Sequence, residues 1–267
     1  MATGIVNPYA VASAEFNPET DINWHTLFWA EGTKYQATNS VNGAQITRVP
    51  DEYGAAADDA TMATGSPYFT HQTGTAGVLN GQPHWLTTYT HGQMTTGTWS
   101  KAVPSGPTTS LIIICEPDGV SRVGGMLMDG PMPGNGFGFV HDNITSVGFR
   151  IVGQDSVGTV NFGTGHLLTG GSVNAIRISR STIFTDAYIH LNSLAPIPFG
   201  SASTGGMGSY GYPNQGVQLN SYAGGSGTYP FHGAMPFVGI YDGQISSHAK
   251  WSDMQAWALS HYGATLT

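Results

Sequence analysis

Glu116-Pro-Asp118 sets two carboxylates at the spacing that places alternate residues of a strand on one face, and paired carboxylates are what glycoside hydrolysis uses. Pro117 cannot donate to a sheet ladder, so the expected structure here is a polar turn following Cys115. The chain has 10 histidines, yet none stands in a His-Glu-x-x-His pattern or beside a cysteine ligand, and His71, His84 and His91 fall in separate segments. Ordinary hydrogen-bonded histidines are the expectation. There is no Gly-x-Ser-x-Gly elbow for a nucleophilic serine. Gly163-Thr-Gly165 with Gly170-Gly171 lacks the lysine and the helical pattern of a phosphate loop. Asp142 with Asn143, and Asp155, offer the carboxylate and amide oxygens that calcium takes, although such residues also serve as plain turn formers. Sugar recognition asks for an aromatic face and nearby amides. Tyr210, Tyr212, Asn214 and Gln215, followed by Asn220 and Tyr222, supply both on a Gly- and Ser-rich stretch. The alternative for these tyrosines is packing of the loop itself or contact with a neighbouring subunit.

Composition narrows the setting. Only 9% of the residues are charged, against about 25% in typical globular proteins, and 38 are glycine. Solvent compatibility therefore rests on hydroxyls, amides and backbone, as in many secreted and virion β-proteins. A net charge of −8 with no cluster of Lys or Arg argues against binding nucleic acid through phosphates. The run Leu111–Cys115 is too short to cross a membrane, and the residues from Met1 to Val6 lack a secretory pattern, so neither membrane insertion nor a signal peptide is expected. Cys115 has no partner for an intrachain disulfide and reads as a small core residue.

The elements that would position these residues are mostly strands. Short apolar runs alternate with turn clusters at Leu27–Trp29, Gln45–Val49, His84–Leu86, Leu111–Cys115, Gly124–Met128, Gly148–Val152, Asn174–Ser179, Tyr188–Leu191, Val217–Leu219 and Phe237–Tyr241. No interval repeats, which disfavours propellers and solenoids. One helix is expected at the end. Trp251, Met254, Ala258 and Tyr262 recur at helical spacing, Ser246 or Ser247 can cap it, and Gly263 can stop it. Residues 1–22, with Asn7-Pro8 and Asn17-Pro18, read as an N-terminal arm or a first strand, and residues 23–267 as a single domain.

Several segments, in order, resemble the concanavalin A-like lectin/glucanase superfamily in its laminin-G-like jelly-roll form. Leu27–Ala30 is similar to the opening strand, and Arg48–Gly54 with Asp59–Thr64 and Pro67-Tyr68 to a "trp-x-asp-x-ser-gly" turn and its threonine-rich sequel, with Val49 in place of the tryptophan. Val78–His84 resembles "asn-gly-lys-pro-ala", Ser110–Pro117 the central buried strand, His190–Ser193 the "tyr-val-asn-gly" hairpin, and Phe231–Gly233 through Ser246 the closing "phe-x-gly … tyr-x-x-x-leu-ser".

The resemblance implies an all-β, two-sheet antiparallel jelly-roll sandwich with one short C-terminal helix. The superfamily's glucanases carry Glu-x-Asp-x-Glu on one strand; Val120 stands where the second Glu would be, so no catalytic residue is assigned and a non-enzymatic role is expected. With the composition, the resemblance implies a structural protein of a tailed-phage virion. Its place would be a minor tail or tail-tip component, bound to other virion proteins, forming a homo-oligomer and touching host-envelope polysaccharide, with no cofactor unless calcium is held. The alternatives are a head-decorating capsid protein and a cell-wall glycan hydrolase.

Overall fold

A computed structural model describes residues 15–62, 69–87, 94–95, 100, 108–118, 125–130, 137–141, 149–153, 159–161, 168, 170–181, 188–198, 218–219 and 231–267. In chain order the first half of the described strands are β1 (Thr26–Trp29), β2 (Gln45–Ile46), β3 (Arg48–Val49), β4 (Ala60–Met62), β5 (Phe69–Gln72), β6 (His84–Thr87), β7 (Met94–Thr95) and β8 (Thr108–Pro117). The rest are β9 (Gly125–Gly130), β10 (Phe137–His141), β11 (Phe149–Gly153), β12 (Thr159–Asn161), β13 (Asn174–Ser181), β14 (Tyr188–Leu191), β15 (Ile197–Pro198), β16 (Gln218–Leu219) and β17 (Gly233–Tyr241). Three α-helices accompany them: α1 (Pro18–Asp21), α2 (Thr33–Thr38) and α3 (Trp251–Tyr262).

The strands form two antiparallel sheets. The first runs β15-β14-β13-β8-β17-β6-β5-β2 with β1 also paired to β17; the second runs β12-β11-β10-β9-β16-β7-β4-β3. The jelly-roll sandwich with its C-terminal helix is therefore the fold. The run Gln45–Val49 divides between the sheets: Ile46 is buried in the first and Val49 in the second, so the chain crosses over at Thr47.

Strand β8 shows how the sequence sorts its faces. Leu111, Ile113 and Cys115 enter the core between the sheets, joined by Trp85, Val238 and Ile176, while Ile112 and Ile114 point the other way into a second apolar layer. A run apolar on both faces is what a strand buried on both sides needs. The second layer is closed by α3, whose Met254, Trp257, Ala258 and Tyr262 are buried against Trp29, Phe237 and Ile245. Gly263 ends the helix with φ 77°, the left-handed cap expected of it. The serines do not cap α3. Residues Ile245–Ser247 close a 3-10 turn of their own, and α3 begins from the carbonyl of Lys250, which accepts from Met254 N at 3.0 Å.

Pro236 lies inside the central strand β17 at a register shift between Ala234 and Phe237, where a bulge tolerates a residue with no N–H. Its carbonyl accepts from Ala30 N at 2.8 Å. Farther along β17 the ring of Trp24 lies so close to Gly239 that a Cβ there would stand 2.6 Å from the indole.

The described part of the segment 1–22 begins at Glu15, and Asn17-Pro18 opens a turn of helix where extended or turning backbone was expected. Asn17 Oδ1 accepts from Glu19 N at 2.8 Å and Pro18 takes the first helical position, which has no intrahelical use for an N–H. This segment is fastened to the domain. Ile22 is buried, Phe16 meets Trp257 at 5.8 Å, and Tyr53 Oη donates to the carbonyls of Glu19 and Ile22.

Candidate functional site

The tyrosine-loop residues Tyr210, Tyr212, Asn214, Gln215, Asn220 and Tyr222 lie outside the described residues, as do the calcium candidates Asp142, Asn143 and Asp155, and His91. Among the described residues, no group of three or more His, Cys, Asp or Glu side chains converges as a metal site.

Glu116 and Asp118 are described, and their surroundings correct the expected turn after Cys115. Strand β8 continues through Pro117, with Glu116 opposite Ala234 and Pro117 opposite Gly233. Proline is tolerated because it is the last residue of the strand, and its carbonyl accepts from Gly171 N at 2.7 Å. The Glu116 carboxylate, 8% exposed, accepts from Leu79 N at 2.8 Å. That bond pins the turn Leu79–Gly81, whose Leu79 and Asn80 have φ of 47° and 53°. Asp118 Oδ2 faces His232 Nδ1 at 3.3 Å. Each of the two carboxyls thus has a partner that ties one chain segment to another.

The acidic residues between 51 and 59 are used in the same manner. Asp51 accepts from Leu27 N and Tyr53 N, both at 3.0 Å, and Glu52 from Lys34 N at 2.8 Å and Tyr35 N at 2.9 Å. Asp59 accepts from Asp51 N at 2.9 Å and pairs with Arg48, while Asp58 accepts from Ser100 Oγ at 2.7 Å. Lys34 Nζ donates to the carbonyls of Asp51 and Gly54. These groups knot the loop between β3 and β4 against α2 and β1.

His71 and His84 are tied into the framework as well. His71 is fully buried with Nδ1 3.0 Å from Tyr35 Oη, and His84 Nδ1 lies 2.9 Å from the Gln82 carbonyl. Desolvation lowers the pKa of both, with the neighbouring His84 adding to the effect on His71 and Glu116 opposing it on His84. His190 is lowered to about 4, first by desolvation and then by Arg177. A histidine whose pKa is lower folded than unfolded is protonated first in the unfolded chain, so its contribution to stability is complete above about pH 6.5 and is lost as pH falls toward the folded value. Glu52, raised by desolvation, acts in the opposite sense at lower pH. The melting temperature is expected to drop by roughly 5 °C or more between pH 7 and pH 4.5. A flat or rising curve in thermal melts over that range would refute the assignment of neutral buried histidines.

A different cluster forms on the outer face of the first sheet. Ile176 and Ile178 of β13, and Ile189 and Leu191 of β14, enter the core between the sheets. Alternation therefore sends Arg177, Ser179, Tyr188 and His190 outward, with Arg177 opposite His190 and Ser179 opposite Tyr188. Arg177 is only 4% exposed; its Nε donates to the Thr267 backbone oxygen at 2.5 Å and its Nη1 to Ser179 Oγ at 2.8 Å. The guanidinium also lies 5.3 Å from the ring centre of Trp251. Among the described residues no Asp or Glu side chain pairs with it. Burial brings its pKa down to about 10. Gln244 Nε2 reaches Ser179 Oγ at 3.4 Å and Ser246 Oγ at 3.1 Å, and Tyr188 is 38% exposed at the rim. Chemically this is a cation, an amide, hydroxyls and an open aromatic face on paired strands. Its signal in the sequence is Arg177 itself, a cation between two isoleucines in a strand of alternating faces.

No protein-family profile and no curated protein matches the chain. Similar solved structures include a sialidase of Trypanosoma rangeli in complex with sialic acid, with 10% identity and a TM-score of 0.47 over 88% of this chain and 32% of the sialidase. The chain thus spans about a third of that enzyme. Domain 4 of AbnA, an extracellular arabinanase of Geobacillus stearothermophilus in complex with arabinotriose, has 11% identity and a TM-score of 0.48 over 67% of this chain and 77% of the domain. The carbohydrate-binding module of the Ruminococcus gnavus IT-sialidase, bound to α2,3-sialyllactose, has 12% identity and a TM-score of 0.42 over 54% of this chain and 80% of the module.

Proposed function

We propose that this chain is a non-enzymatic, lectin-like structural protein of a tailed-phage virion, in a minor tail or tail-tip position, where it meets carbohydrate of the host envelope. The observation that carries the non-enzymatic part is the use made of Glu116, Asp118 and the acids from Asp51 to Asp59: each is tied into a bond between chain segments, as a framework group would be. The charge-poor surface, the sandwich fold and the outward polar and aromatic face on β13 and β14 support a binding and assembly role. Contacts with other virion proteins and with copies of itself belong to this reading.

Labelling of the chain on intact particles, combined with retention of host-envelope polysaccharide by the purified chain, tests the proposal. The expected result is label at the tail and retained, uncleaved polysaccharide. Label confined to the head would overturn the tail assignment, and release of new reducing ends would overturn the non-enzymatic one.

A further inference from the structure

We propose that the core between the sheets is a binding site for one internal water molecule, held by Trp85 of β6 and His71 of β5 and joining them into a hydrogen-bonded chain that ends on Tyr35 of α2.

Trp85 and His71 lie directly opposite each other on neighbouring antiparallel strands, so both side chains leave the same face of the first sheet, and both residues are fully buried. Trp85 Nε1 and His71 Nε2 are buried nitrogens with no hydrogen-bond partner among the described residues. Buried polar atoms of native proteins are nearly always bonded, either to protein or to ordered water. Two of them on facing residues mark a single polar locus inside an apolar core.

Tyr35 closes that locus. Its ring centre lies 5.5 Å from that of His71 and 6.1 Å from that of Trp85, and its Oη is 3.0 Å from His71 Nδ1. That bond occupies one imidazole nitrogen and leaves the other in need of a partner. Among the described residues the second sheet supplies none: its buried members of the same core are Val49, Ala60, Met94 and Leu219, whose side chains carry neither nitrogen nor oxygen.

Water fits for a chemical reason. The indole Nε1–H only donates, whereas Nε2 of a neutral imidazole donates or accepts according to which nitrogen carries the proton. A water oxygen accepts from Trp85 in both cases, and the same molecule either accepts from His71 Nε2–H or donates to the bare Nε2. An anion serves only the first case, and it brings an unpaired charge into a core where burial, and then His84, keep His71 neutral. The chain from Trp85 through water and His71 to Tyr35 ties β6 to β5 and both to α2, where Glu52 already holds Tyr35 N.

The test is water–protein NOE spectroscopy on the isotope-labelled full chain near neutral pH, read at the Trp85 indole proton. It is joined to water-oxygen relaxation dispersion, which counts long-lived waters and does not see exchanging hydroxyl or imidazole protons. The expected result is a cross-peak from the Trp85 indole proton to water, and one long-lived water fewer in Trp85→Phe, which keeps an aromatic ring but has no N–H. Absence of the cross-peak in the wild type, or an unchanged water count in a folded Trp85→Phe, would overturn the site. A Trp85 indole resonance that shifts when bromide replaces chloride would assign an anion there and overturn the water. If Trp85→Phe does not fold, the wild-type cross-peak alone decides.

Discussion

Trp257→Ala is expected to cost about 3–5 kcal/mol of folding stability and to lower the melting temperature by roughly 10 °C. Trp257 is 8% exposed and sits at the centre of an aromatic group, with ring centres 5.8 Å from Phe16, 6.1 Å from Trp29, 5.7 Å from Phe237 and 5.4 Å from Tyr262. The His261 ring stacks on it at 5.4 Å. Truncation leaves a cavity bounded by the N-terminal segment, two strands and the helix itself, elements too different to collapse together. A helix of 12 residues has little stability alone, so α3 depends on this contact. What remains is a polar latch in which Trp29 Nε1 donates to Tyr262 Oη at 2.9 Å and Tyr262 Oη donates to Glu31 at 2.7 Å. Trp257→Phe should recover part of the loss. Thermal unfolding followed by circular dichroism decides the matter, and a loss below about 1 kcal/mol would mean that α3 is held by something else.

Asp51→Ala is expected to cost about 3 kcal/mol, whereas Asp51→Asn should lose far less. The Asp51 side chain is buried and its Oδ1 accepts from Leu27 N in β1 and from Tyr53 N in its own turn. Alanine leaves an amide of a fully buried strand without an acceptor, while asparagine keeps the accepting oxygen in place. Urea titration measures the difference as a shift in midpoint at constant slope. Equal losses for the two variants would show that the charge of Asp51, through its neighbours, matters more than its role as acceptor.

Much of the architecture was legible in local pattern. Leu111–Cys115 announced a strand buried on both faces, Trp251 to Tyr262 announced the helix, and Gly263 its stop, because each depends on residues close in sequence. The failures have physical causes as well. Asn17-Pro18 starts a helix because asparagine caps it, a use of the pair that its turn propensity conceals. Pro117 stays in its strand because the residue ends the ladder, and that depends on a partner more than a hundred residues later in the chain. Gln45–Val49 reads as one apolar run and serves two sheets. The acids from Asp51 to Asp59 gave no sign of what they bind, since their donors are backbone amides contributed by β1 and α2. Arg177 stood in an evident strand, but its meeting with Trp251 and Gln244 joins segments that only the closed sandwich brings together.

Strand β17 pairs with β1, β6 and β8 at once. During synthesis those three strands emerge long before residues 233–241, and until then each faces water with an unpaired edge. The first sheet is therefore keyed by β17, the last of the described strands, so that its closure waits for residues more than a hundred positions beyond β8. The nascent protein carries the apolar run Leu111–Cys115 of β8 exposed through that interval, in which aggregation competes with folding.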